Sequence, residues 1–210
     1  MRDPSDIPAP DAAHPHESAS DVLARVAEET PGERIPLGDL IDALGERTFG
    51  LVMLVLALPC AIPFLYGVPQ VVSIPMLFVA AQLVIGRRAL WLPQGLRARS
   101  FSKADYAAMI ARARPWLLRL ERLSRPRLVA LTRPPLDQVV GLAMLIASLS
   151  IAVPLPLTNT VPGIGVAILA LGLIERDGLL VVGGALVALV WIGFLVFAGT
   201  TVVAAILSLF

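Results

Sequence analysis

The chain of 210 residues has one cysteine and two histidines, and only 16% of it is charged. A single cysteine excludes an internal disulfide, and Cys60, inside an apolar run, reads as a small packing residue. His14 and His16 have a spacing that suits a metal, but they stand in a proline-rich tail with no further ligand, so no metal site is expected. There is no glycine-rich phosphate loop, no HExxH and no serine-centred elbow, and histidine is confined to the tail. The usual means of nucleophilic and general-base chemistry are therefore missing, and neither an enzyme nor a cofactor is expected. The opening MRDPSDIPAPDAAHPHES has no apolar core, so it does not read as a signal peptide.

What is abundant is apolar. Hydrophobic residues make up 57% of the chain, and the mean hydropathy is +0.79, far from the balance of a soluble domain. A hydrocarbon core about 30 Å thick needs about 20 helical residues. Uncharged runs of that order cover 49–66, 68–85, 139–157, 160–174 and 179–210. The expected fold is all-α, a polytopic helical membrane protein. In LALPCAIPFLYGVP, residues 56–69, three prolines stand where a spanning helix is needed. Each removes a backbone donor and crowds the carbonyl four residues back, which is tolerable only beside protein or water.

Charge is segregated along the chain. Residues 1–48 carry eleven acids against four bases, whereas residues 87–136 carry twelve bases against Asp105 and Glu121. The bias of Lys and Arg toward the inner face puts this middle segment in the cytoplasm, together with the amino terminus and the turn at 175–178. The last run then makes one tilted span, loosened at Gly183-Gly184, with its carboxyl end outside. The chain divides into a disordered tail (1–17), cytoplasmic amphipathic helices (18–48), a first membrane unit (49–86), a basic helical linker at the cytoplasmic interface (87–136), a second membrane unit (137–178) and a terminal transmembrane helix (179–210).

Before the first span, SASDVLARVAEET and PLGDLIDALGER each read as a short amphipathic helix, the second with Leu37, Leu40, Ile41 and Leu44 on one face. In the linker, Ser102 and Asp105 form a helix-start signal, Pro115 interrupts the helix, and a new helix begins there. Arg119, Arg122 and Arg125 on that helix, with Arg87, Arg88 and Arg176 at span ends, suit the anionic headgroups of membrane lipids. Packing of a plain helical hairpin, and helix-end anchoring by single arginines, are the alternatives. Nucleic acid is not expected, because aromatics for a stacking platform are too few.

The two membrane units repeat. GLVMLVLALPCAIP, residues 50–63, aligns without gaps on GLAMLIASLSIAVP, residues 141–154, with glycine, methionine and proline coinciding. Each unit is an apolar arm, a proline-rich elbow (Pro59, Pro63 and Pro69; Pro154, Pro156 and Pro162) and a second arm. Paired interruptions of this kind point to a site at the repeat interface. Gln70, Gln82, Thr158, Asn159 and Thr160 are the candidates to bind a substrate there, and Ser148 and Ser150 could also furnish it. Hydroxyls and amides that merely pair between packed helices are the bland alternative. Two senses stay open: parallel units if every arm crosses, inverted units if the arms are re-entrant.

LGDLIDALGERTFGLVMLVLALPCAIP, IPMLFVAAQLVIGRRALWLP and LPLTNTVPGIGVAILALGLIERDGLL, in that order, resemble the exopolysaccharide synthesis ExoD family of bacterial inner-membrane proteins. The resemblance covers roughly residues 35–195. It implies a multi-pass place in the bacterial inner membrane and a role in producing or exporting surface polysaccharide, without implying a reaction. Where the family's first proline motif carries asparagine, this chain has Cys60-Ala61, so the first elbow lacks an amide that the second keeps as Asn159. Three functions follow: a small carrier or facilitator for an anionic or lipid-linked intermediate, a non-transporting scaffold for the polysaccharide synthesis machinery, or an ion or proton exchanger. The last is weakened by the lack of a carboxylate within a span. A homo-oligomer is compatible with each.

Overall fold

The computed structural model describes Arg25 and residues 32–65, 67–123, 128–153 and 158–208. The tail with its histidines and nearly all of the first amphipathic segment lie outside the described residues, as do Arg125, Pro154 and Pro156. The described chain is mostly helical. Its elements are β1 (Arg34–Pro36), α1 (Leu37–Leu44), α2 (Arg47–Ala61), α3 (Val68–Val84), α4 (Gln94–Arg97), β2 (Ser100–Ser102), α5 (Lys103–Leu123), a 3-10 turn (Val129–Thr132), α6 (Leu136–Ala152), α7 (Thr160–Glu175) and α8 (Gly178–Leu207).

Two helices end for the same reason. A residue before proline is pushed out of the helical region, and Ile62 and Val153, which precede Pro63 and Pro154, are both extended at ψ 121°. So α2 stops at Ala61 and α6 at Ala152. The elbow after α2 reverses through two positive-φ residues, Phe64 (66°) and Gly67 (81°), and α3 starts with Pro69 in its first turn. Pro59 and Pro75 lie within α2 and α3 and do not end them.

Close approaches fix the directions of the helices. A Cβ on Gly50, near the start of α2, would stand 2.8 Å from the Ala170 carbonyl oxygen and from Cγ1 of Ile174 near the end of α7. At the other end of the same pair, Gly163 of α7 meets Cys60 and Ala61 of α2. The two helices are therefore antiparallel. Likewise a Cβ on Gly141 of α6 would stand 2.9 Å from Val84 N at the end of α3. The hairpin of α7 and α8 closes through Gly172 on Val181 and Gly184 on Leu169. Met53, Met76, Ala80, Met144, Val166 and Leu169 are buried between these helices.

The end of α2, the start of α3, the end of α6 and the start of α7, which flank the two elbows, consequently lie at one end of the bundle. The starts of α2, α6 and α8 and the ends of α3 and α7 lie at the other, with Glu46, Arg47, Arg87, Asp137, Arg176 and Asp177. Gly178–Thr201 in α8 is long and apolar enough to cross a membrane, with mean hydropathy 2.7, and α2, α3, α6 and α7 are shorter apolar helices. α8 runs unbroken through Gly183-Gly184, where loosening was expected. Beyond Trp191, whose Nε1–H donates to Ser150 Oγ at 3.2 Å, it continues with Phe194, Val196, Phe197 and Leu207 exposed.

A small polar cap joins the charged end. β1 pairs antiparallel with β2, Ile35 opposite Phe101, and Ile35, Leu44 and Tyr106 form a second buried cluster with Leu51 of α2 packed against it. The Arg34 guanidinium donates to Ser100 Oγ at 2.8 Å, and Arg97 pairs with Asp42 at 2.6 Å. Ser102 Oγ accepts the Asp105 N–H and donates to its carboxylate, the helix-start arrangement read from sequence. The expectation that a new helix begins at Pro115 is corrected: α5 runs through it. Pro115 is exposed, so water can take the carbonyl that it leaves without a donor.

Candidate functional site

The elbow end carries two amides of the same unusual standing. Asn159 is the N-cap of α7 and only 9% exposed, yet its side chain caps nothing, and its Oδ1 is buried with no hydrogen-bond partner. Gln70, in the first turn of α3, is half-buried, and its Oε1 is likewise buried and unpartnered. Their backbone carbonyls are engaged: that of Asn159 accepts Gly163 N–H at 3.0 Å, and that of Gln70 accepts Ser73 Oγ–H at 2.6 Å. An amide oxygen withheld from water without a donor costs about 1–3 kcal/mol.

Cys60 links the two positions. Its Sγ lies 3.9 Å from Met76 Sδ of α3, and its backbone is in close contact with Gly163 of α7. Gln70 lies one to two helical turns from Met76 toward the elbows, and Asn159 one turn from Gly163 in the same sense. Both amides thus stand beyond the Cys60 level, toward the elbow ends of α2, α3 and α7. Thr158 and Thr160 flank Asn159 and are half-buried; Pro69 and Pro162 are buried at the starts of α3 and α7. Pro59 is half-buried in the last turn of α2, and Pro63 is exposed.

Gln82 does not join this group. It stands near the other end of α3, where Oε1 accepts Trp91 N–H at 2.8 Å and Nε2 donates to Trp91 O at 3.2 Å. That two-way clasp folds the segment after α3 back onto the helix. Ser148 and Ser150 are also committed, donating to Met144 O at 2.7 Å and accepting from Trp191 respectively. Arg87 and Arg88 are exposed past the end of α3, and Arg87 borders an open groove of about 360 Å³ with Phe78, Ile85 and Trp91. Arg176 is half-buried at the left-handed turn after α7. Arg119 and Arg122 lie on α5.

Sequence reasoning missed Asp137. It was assigned to the edge of the second membrane unit, outside the apolar run, but it stands in the first turn of α6 and is only 8% exposed. Its signal was the repeat itself, because the register that pairs Gly50 with Gly141 also pairs Glu46 with Asp137.

A family model described as "Exopolysaccharide synthesis, ExoD" matches residues 19–197. The chain is 33% identical over 172 residues to a Rhizobium meliloti (strain 1021) protein named "Protein ExoD", covering 80% of this chain and 71% of that one. It is 31% identical over 170 residues to an uncharacterised protein of Synechocystis sp., covering 80% of each. No solved structure matches.

Proposed function

The chain belongs to the exopolysaccharide synthesis ExoD family, and on that premise we propose that it assists exopolysaccharide production as a small, non-catalytic membrane carrier or facilitator, holding an anionic or lipid-linked intermediate between its two proline elbows. The observation that carries this reading is the pair of buried, unpartnered oxygens, Gln70 Oε1 and Asn159 Oδ1. Both are acceptors waiting for donors, and the hydroxyl groups of a sugar are donors at close spacing. A bundle that only needed to pack would gain by replacing each amide with an apolar side chain.

The reading includes five crossings by α2, α3, α6, α7 and α8, with the charged end in the cytoplasm. The gathering of every charged connection at one end supports it, as does the excess of bases in 87–136. Two parallel units are supported by the way one register serves both halves. It carries Ile62 to Val153 at the helix ends, and it carries the contact of Gly50 with Ile174 to that of Gly141 with Leu83. With the helix ends that flank both elbows at the same end, the units have the same sense.

A density map of the protein in lipid, made in the presence of lipid-linked saccharide, tests the proposal. Density within hydrogen-bond distance of Gln70 and Asn159 supports carriage. A dry, closed elbow with the two amides turned toward each other overturns it in favour of a scaffold.

A further inference from the structure

α3 ends in a turn built on Gly86, whose φ of 75° is a left-handed value that favours glycine. Gly86 N–H donates to Leu83 O at 2.9 Å and Arg87 N–H to Gln82 O at 3.1 Å, the paired bonds that satisfy a helix's last carbonyls. The Gln82 side chain secures the returning segment by gripping the Trp91 backbone, and the Trp91 ring lies 5.9 Å from that of Phe78, one turn before Gln82. Between this segment and the helix, Phe78, Ala81, Gln82, Ile85, Arg87 and Trp91 line the open groove of about 360 Å³. Its wall is apolar except for Gln82, whose amide is spent on Trp91, and Arg87. Phe78, Ile85 and Trp91 keep 42%, 68% and 49% of their surface exposed.

We infer that this groove seats one acyl chain of an anionic phospholipid, with the lipid phosphate held by Arg87. The inference rests on the membrane placement of α3 proposed above and not on carriage at the elbows. An apolar groove with a tryptophan wall and an arginine at a helix end suits the boundary between hydrocarbon and headgroups, where both side chains place an apolar body in oil and a polar tip in water. Charge selects the lipid. Arg87 and its neighbour Arg88 are exposed and form no ion pair among the described residues. No acid stands in the chain between Glu46 and Asp105, and none lines the groove. A guanidinium so placed can take a phosphate through two parallel hydrogen bonds, and the second cation beside it adds to the attraction. A zwitterionic headgroup brings its own cation to the same two arginines and gains less. The grip of Gln82 sets the Trp91 wall before lipid arrives, so binding loses little freedom there.

Trp91 is its own reporter. In the full chain with Trp116→Phe and Trp191→Phe, it is the one tryptophan left. In phosphatidylcholine vesicles its fluorescence should be quenched more by phosphatidylglycerol with brominated acyl chains than by the same fraction of brominated phosphatidylcholine. Arg87→Gln leaves the Gly86 turn intact, because the turn uses only the Arg87 backbone. It should reduce the preference for phosphatidylglycerol by about fivefold, the effect of one base near an anionic surface, and Arg87→Lys should restore part of it. Ile85→Gln, at an exposed position, should lower quenching by both lipids. Equal quenching by the two lipids overturns the anionic site. A preference that survives Arg87→Gln also overturns it, since the basic linker as a whole would then be the source. Quenching by neither lipid would mean that protein, a second copy included, covers the groove, and overturns the proposal outright. Asn159→Ala should leave the preference untouched, so failure of carriage at the elbows and failure of this site are read separately.

Discussion

Gly163 and Cys60 meet backbone to backbone: a Cβ on Gly163 would stand 2.7 Å from the Cys60 carbonyl carbon. Two effects compete in Gly163→Ala. Helix propensity favours alanine by about 1 kcal/mol, but the contact is with main chain that cannot swing aside, and overpacking costs about 1–3 kcal/mol. Overlap wins, so Gly163→Ala should lower the melting temperature. Gly183→Ala, which would meet nothing within 4 Å, should leave it unchanged or raise it. Thermal unfolding of the two variants side by side checks this.

Gln82 and Asn159 are both amides in apolar company, and their replacement should have opposite signatures. Gln82→Leu breaks two hydrogen bonds and strands the Trp91 backbone, at a cost of about 1–3 kcal/mol. Asn159→Ala removes an oxygen that has no partner, so stability should change by less than about 1 kcal/mol. Polysaccharide output in a strain lacking the protein should nevertheless fall with Asn159→Ala and with Gln70→Leu. Normal output from a well-inserted Asn159→Ala would take that residue out of the site.

The proposed topology places α5 and the cap in the cytoplasm. With Cys60 replaced by alanine, a cysteine at position 105 should react with an impermeant maleimide only after the inner face is opened. Labelling from the outer face of intact cells would invert the assignment.

Tyr106 is 1% exposed in the cap, and burial pushes its phenol up to about 12 from the ordinary 10. The neutral form is the one favoured by folding. The contribution is therefore whole below pH 10 and is lost as pH climbs through about 12. The cap, followed by Tyr106 absorbance and near-ultraviolet circular dichroism, should loosen in that alkaline window, and Tyr106→Phe should move the transition to higher pH. An unmoved transition would mean that another group drives it.

Much of this was legible in the sequence because proline acts locally. Ile62 and Val153 could be read as helix ends from their neighbours alone, and Ser102 with Asp105 as a helix start. Pro115 misled because a proline costs a helix most where the freed carbonyl is shut away from water, and here it is not. The ribbon of β1 and β2 left no trace: each strand has three residues, too few for an alternation, and their partners are far apart in the chain. Gln82 and Gln70 looked alike because composition cannot say whether a buried amide finds a backbone partner, as Gln82 does at Trp91 nine residues on. Asp137 stands at the first position of the second membrane unit, just outside its apolar run, and nothing local in the sequence shows that the fold buries it in the bundle.

The lengths of the helices have a consequence for the surrounding lipid. α2, α3, α6 and α7, at 15 to 17 residues, are about 22–26 Å long, whereas α8, at 30 residues, is about 45 Å. In the proposed topology the four short helices fall below the about 30 Å of hydrocarbon that they border. The bilayer beside them must dimple, while α8 keeps its apolar flank in lipid of ordinary depth. A headgroup arriving at the elbows then stands at the bottom of a dent in the outer leaflet, with less oil left to cross than anywhere else on that membrane.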